Sequence, residues 1–313
     1  MHRLGVTLLA LALALSSCGS DSASDDASSE LSVVATTTIL GDIVDNIVGD
    51  GATVEVLLPV GASPHDYQAS SEQVAHLQTA GLVVANGLHL EEGLEDVLES
   101  AIEDGANVFE VGALLDPLPF STGSDHDSAD SGHEHEEGSL DPHVWLDPVW
   151  MADAAKLIAA ELEKVDPSTD WTARADEYAT ELLETNSEIA ETLSSIPEDR
   201  RVLVTNHASL GYFADRYDFE VIGVVFPGGS ALAEPSSAEL SDLVEVIDHE
   251  GVSAIFGETT ESTEIAEAVA AEIGTAVEVV QLYTGSLGEP GSGAETLIDM
   301  LLLNARKIAE ALS

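Results

Sequence analysis

Apolar positions in this chain recur with two alternating periods. Short β-branched runs at Ser32–Ile39, Thr53–Val60, Leu82–Asn86 and Asn107–Val111 read as strands, and amphipathic segments near Leu40–Val48, Ser71–Ala80 and Glu91–Ile102 separate them as helices. The same grammar restarts further on, with strands near Val202–Asn206, Val221–Val225, Ser253–Phe256 and Val277–Leu282. Helices near Ala208–Tyr217, Ser236–His249, Glu264–Ile273 and Ala294–Leu312 separate or follow them. Alternation of this kind predicts an α/β fold of two lobes, each with a mostly parallel sheet covered by helices on both faces.

Between the two series lies one continuous apolar stripe of Trp171, Ala175, Tyr178, Leu182, Ile189, Leu193 and Ile196. It predicts a long helix from about Ser168 to Ile196, opened by Asp166-Pro167-Ser168 and stopped by Pro197. At 1.5 Å per residue such a spine would be roughly 40 Å long, enough to run along both lobes. The expected division is an N-terminal lobe over 31–166, a linking helix over 167–197 and a C-terminal lobe over 198–313.

The first eighteen residues read as an address. Arg3 precedes the apolar run Leu4–Leu15, which is too short to span a bilayer as a mature helix but suits a signal peptide. It ends in Leu15-Ser16-Ser17-Cys18, which resembles the lipobox of bacterial lipoproteins, so lipidation at Cys18 and anchoring to the cell membrane on its extracytoplasmic face are expected. Residues 19–30 are polar and aperiodic and read as a disordered tether. Cys18 is the one cysteine, so no internal disulfide can form, and a metal would be held by His, Asp, Glu or water.

Charge changes the picture in one respect. Nine Lys and Arg stand against 59 Asp and Glu, a formal net charge of −50. Such a surface repels phosphate backbones and excludes nucleic acid as a partner. It gathers cations without choosing among them, so selectivity needs a built site.

Histidines supply the candidates. His65 lies just past the carboxyl end of the second strand, His143 in the proline-bracketed run Asp141-Pro142-His143-Val144-Trp145-Leu146-Asp147-Pro148, and His207 at the end of the strand Val202–Asn206. Ligands of open α/β sheets bind outside the carboxyl ends of the strands, so two facing lobes can share these three as a metal site. Singly, each is equally well read as a polar loop residue with satisfied hydrogen bonds. From Ser121 to Ser139 the chain is polar and carries His126, His133 and His135 among acids, which reads as a flexible loop of weak metal affinity. His76 and His249 read as surface residues of helices, and nothing in the spacing of His89 requires it at the cleft.

Pro64-His65-Asp66-Tyr67, Asn86-Gly87 with Leu90-Glu91, the His143 run, Asn206-His207 with Gly211-Tyr212-Phe213, and Leu282-Tyr283-Thr284-Gly285-Ser286-Leu287 resemble the motifs of zinc/manganese solute-binding lipoproteins of ABC importers. The likeness covers essentially all of Leu31 to Ser313. It implies two α/β lobes joined by a long helix, one metal in the cleft held by His65, His143 and His207, delivery to an importer permease, and a monomer. The 121–139 segment is similar to the histidine-rich loop of zinc-type members. In many relatives the position of Gly285 is an aspartate that completes the shell, and glycine cannot do so. Water or a nearby carboxylate would replace it. Glu258 is the candidate, either as ligand or as acceptor for a histidine N–H.

Three imidazoles without an obligatory carboxylate favour Zn²⁺, with Mn²⁺ as the alternative. Two other classes remain open on these residues. Three histidines plus water also describe a zinc hydrolase or hydratase, although no His-Glu-x-x-His helix accompanies them. A metal-binding surface adhesin would equally carry the anchor.

Overall fold

The computed structural model describes residues 31–120, 140–226, 235–273 and 277–313. The expected signal segment with Cys18, the tether, and the loop with His126, His133 and His135 lie outside the described residues.

Strands β1 (Leu31–Ala35), β2 (Ala52–Val56), β3 (Leu82–Ala85) and β4 (Val108–Glu110) form one sheet in the order β2-β1-β3-β4. Strands β5 (Val202–His207), β6 (Glu220–Phe226), β7 (Ala254–Glu258) and β8 (Glu278–Leu282) form a second in the order β6-β5-β7-β8. Every pairing is parallel. The strand order therefore reverses between β1 and β3 in one lobe and between β5 and β7 in the other, the position where open sheets leave a crevice.

Helices α1 (Thr38–Val48), α2 (Ser71–Thr79) and α3 (Glu95–Glu103) belong to the first lobe. The second carries α6 (Gly211–Tyr217), α7 (Ser237–Glu250), α8 (Glu264–Glu272) and α9 (Leu297–Leu312). Their starts follow local chemistry. Ser70 with Gln73 and Ser236 with Glu239 form capping boxes at α2 and α7. The strand expected to run from Ser32 to Ile39 ends at Ala35, because the Thr37 side chain accepts from the Leu40 N–H at 3.1 Å and caps α1. Three successive threonines read as extended chain, yet one of them opens a helix.

The long helix between the lobes is α5 (Thr172–Leu193), preceded by α4 (Pro148–Val165) packed along it. Its 22 residues give roughly 33 Å, shorter than expected at both ends. Asp166 does not cap it. Its carboxylate accepts from the Ser168 N–H at 3.0 Å and the Thr169 hydroxyl at 2.7 Å, closing the α4–α5 turn instead. The buried stripe Ala175, Tyr178, Leu182, Ile189 and Leu193 matches the periodicity read from the sequence.

One hydrophobic cluster runs through both lobes, joining Val33 and Val84 of the first sheet to Leu203, Phe256 and Leu282 of the second by way of α4, α5 and α9. Alternate strand residues, Val34 and Val83 on one sheet and Val204 and Ile255 on the other, pack smaller clusters on the opposite faces. Polar pins cross between lobes as well. Asp42 accepts from the Tyr178 hydroxyl at 2.9 Å and the Leu297 N–H at 3.1 Å, and Thr38 Oγ1 accepts from the Leu287 N–H at 3.0 Å.

Trp171, 1% exposed, anchors the α4–α5 turn against Gly51, where a Cβ would stand 2.9 Å from the indole ring. Its indole N–H finds no partner among the described residues. Trp171→Ala should cost about 3–5 kcal/mol. Trp171→Phe should cost under about 1.5 kcal/mol, because loss of an unpaired donor offsets part of the cavity. Urea unfolding midpoints check this, and equal losses in both variants would contradict it.

Candidate metal centre

His65, His143 and His207 reach the same point from three different connections. His65 follows β2, His143 enters a short turn ahead of α4, and His207 is the last residue of β5. All three are buried, and one nitrogen from each lies within 4.8 Å of the other two. Nε2 of His143 stands 3.1 Å from Nε2 of His207 and 3.4 Å from Nε2 of His65.

Carboxylates behind two of the rings decide which nitrogen faces inward. Asp141 Oδ1 lies 2.7 Å from His143 Nδ1 and also accepts the His143 backbone N–H at 2.9 Å. Glu258 Oε1 lies against His207 Nδ1 and accepts the Ser209 hydroxyl at 2.9 Å. An acceptor at Nδ1 keeps the proton there and leaves Nε2 as a lone pair. Glu258 therefore pairs with His207 through the ring's Nδ1, while also standing on the wall of the cavity. Two Nε2 lone pairs 3.1 Å apart repel each other unless a cation or a proton stands between them.

Further contacts hold the His143 turn. Asn86 Nδ2 donates to the Pro142 carbonyl at 3.0 Å. Glu91 fixes Asn86 in turn, accepting its backbone N–H at 2.8 Å and the Thr36 hydroxyl at 2.6 Å. Glu91 thus fills the crevice between β1 and β3 of the first lobe. Burial pushes its pKa up, against the pull of those hydrogen bonds. Trp145 Nε1 donates to the Thr284 carbonyl at 2.6 Å and ties the turn to the segment after β8. Asp147 accepts from Val149 N–H at the start of α4 and pairs with Arg216 at 2.6 Å.

The cavity enclosed by the three rings has a volume of about 10 Å³, room for one ion or one water. Gly285 and Thr260 line it, and a Cβ at 285 would stand 3.1 Å from Thr260 Oγ1 and 3.2 Å from Pro64 Cδ. Glu261, from the loop after β7, lines it too and accepts a hydrogen bond from the Ser63 side chain. Sequence reasoning passed over Glu261 because it lies in no histidine motif. The available signal was an acid three residues beyond Glu258 at the same strand end. His76, His89 and His249 stand outside this site, each paired with a surface glutamate. The Asn206 side-chain amide, fully buried beside His207, has no partner among the described residues.

Electrostatics separate the rings. Burial lowers the His65 pKa to about 3, with His143 and His207 adding to the effect. Burial also opposes charge on His207, but Glu258 outweighs it and raises that pKa above the ordinary 6.5. Glu258 is buried as well, and the His207 charge overrides that burial to hold its carboxyl at about 2. In the metal-free protein, NMR titration should therefore find His207 protonating above pH 6.5 while His65 stays neutral. Glu258→Gln removes the counter-charge and leaves burial in control, so the His207 pKa should fall below 6.5. An unmoved His207 would refute the pairing.

The family model described as zinc-uptake complex component A, periplasmic (ZnuA), matches residues 33–311. The manganese-binding lipoprotein MntA of Bacillus subtilis (strain 168) is 32% identical over 312 residues, covering 97% of this chain and 97% of that one. The protein of the same name from Halalkalibacterium halodurans is 28% identical over 309 residues, 98% of this chain and 97% of that one. The solved structure of the periplasmic zinc-binding protein TroA from Treponema pallidum superposes with a TM-score of 0.78 at 29% identity, covering 91% of this chain and 99% of that chain. With two parallel four-stranded sheets and three imidazoles converging between their carboxyl ends, the chain belongs to the ZnuA family of metal-uptake components.

Proposed function

We propose that this chain is an extracytoplasmic solute-binding protein that captures a divalent transition metal, zinc with manganese as the alternative, and delivers it to the permease of an ABC importer. One observation carries the reading. His65, His143 and His207 turn their nitrogens onto a single cavity of about 10 Å³ at the carboxyl ends of the two sheets. The cargo is the metal ion itself. Relatives named for manganese are similar in sequence over nearly the whole chain, and a structural neighbour named for zinc shares this architecture.

Three nitrogen donors favour zinc, which accepts a tetrahedral shell. Manganese prefers oxygen donors and a larger coordination number, whereas the three histidines supply nitrogen alone. No His-Glu-x-x-His helix accompanies the three histidines to favour a hydrolase. The Cys18 run supports anchoring by lipid, with residues 19–30 as tether, a lobe division at 166 and 197, and His126, His133 and His135 as a weak collector ahead of the cleft. Among the described residues no helix is long and apolar enough to cross a membrane. The carrier is read as a monomer.

Single replacements of His65, His143 or His207 by Ala should each weaken zinc binding by at least about 100-fold, because a three-nitrogen site has no spare donor. Protons compete for the same nitrogens. Below the raised His207 pKa, affinity should fall by up to about tenfold per pH unit, while His65, with its pKa near 3, adds nothing until far lower pH. Calorimetry across pH measures both effects. Near wild-type affinity in any two variants would remove the site.

The anchor is tested separately. Cys18→Ala should release the protein from the membrane fraction with its thermal unfolding midpoint unchanged. Retention on membranes would contradict lipidation at Cys18.

A further inference from the structure

A tetrahedral zinc ion bound by three imidazoles is one donor short. The cavity wall limits what can supply it. Gly285 has no side chain, and the space a Cβ would enter there is already taken by Thr260 Oγ1 at 3.1 Å and Pro64 Cδ at 3.2 Å. The segment after β8 therefore offers no side-chain donor at that position. Among the described residues two carboxylates line the cavity, Glu258 and Glu261. Glu258 is committed to His207, lying against Nδ1 of that ring as an ion pair, and it accepts a hydrogen bond from the Ser209 hydroxyl. Withdrawing it would unpin the ring it orients. Glu261 orients no imidazole, and its side-chain hydrogen-bond partner among the described residues is the Ser63 hydroxyl.

We infer that Glu261 is the fourth ligand of the bound metal, moving from Ser63 onto the ion and supplying the oxygen donor that position 285 lacks. The inference rests on the carrier reading of the same site. In the present arrangement the donor atoms lying within 4.8 Å of one another are those of the three imidazoles, so Glu261 has to turn inward. Its three side-chain torsions permit this, and the step exchanges one hydroxyl-to-carboxylate hydrogen bond for a bond between a carboxylate and a divalent cation. Ser63 then acts as a parking partner that keeps the carboxylate at the rim while the site is empty of cargo. Because Ser63 and His65 lie on one loop and Glu261 on another, the turn also draws the two lobes' loops onto the same ion.

The test places a distinctive donor at the position. In full-length protein carrying Cys18→Ala, no thiol remains. Glu261→Cys in that background, loaded with one equivalent of zinc, should show a sulfur neighbour at about 2.3 Å by X-ray absorption. Glu261→Gln should bind zinc at least about tenfold more weakly by calorimetry. A zinc shell of nitrogen and oxygen alone in the cysteine variant overturns the assignment and leaves water as the fourth donor. His143→Ala in the same background separates the two readings. If it still binds tightly, the three-histidine site itself fails. If it loses zinc while Glu261→Cys shows no sulfur, the failure belongs to Glu261 alone.

Discussion

Everything at the centre of this molecule follows from one electrostatic constraint. Asp141 and Glu258 stand against the outer nitrogens of His143 and His207, which turns the inner nitrogens toward each other at 3.1 Å. Such an arrangement is unfavourable until a positive charge enters it. The fold supplies the force that keeps the rings there nonetheless. Asn86, Glu91 and Trp145 fix the turn that carries His143, and the β5–β7 pairing fixes His207 beside Glu258. The work of bringing like groups together is thus done on folding, by burial and hydrogen bonds, and the incoming cation is relieved of it.

The two lobes treat the same topological position in different ways. Each sheet has its first strand in chain order in the second place, so each leaves a crevice beside that strand. In the first lobe Glu91 closes the crevice with three accepted hydrogen bonds and makes it structural. In the second lobe the crevice keeps an imidazole in front and a carboxylate behind, and becomes functional. A field of −50 charges brings cations to the surface, but only this second arrangement can select among them.

Much of this was readable from residue order, and the reasons for the rest are specific. Eight strands and the long helix were visible because their apolar periods extend over several residues. The three histidines were visible because each sits at a strand end or in a proline-bracketed turn. Boundaries were less legible. Thr36-Thr37-Thr38 has strand-like composition, and the capping bond from Leu40 that ends the strand is a geometric fact. Asp166 looked like a helix start but serves the preceding turn. Asp141 and Glu91 stood within recognisable motifs, yet their tasks, orienting one ring and fixing one turn, depend on partners two and 55 residues away. Glu261 was hidden because its place on the cavity wall comes from the way its loop meets the one bearing Ser63, and no local period records that.

The shared core carries a consequence for kinetics. Side chains from both sheets belong to one apolar cluster threaded by α4, α5 and α9, so swinging the lobes apart would expose that cluster to water. Wide clamshell motion is therefore a slow route for exchange, and the cheaper movements are those of the loops that carry His65, Glu261 and Gly285. A carrier built this way holds its cargo by residence time. Dissociation would then be gated by a few side chains at the rim, with the shared core undisturbed.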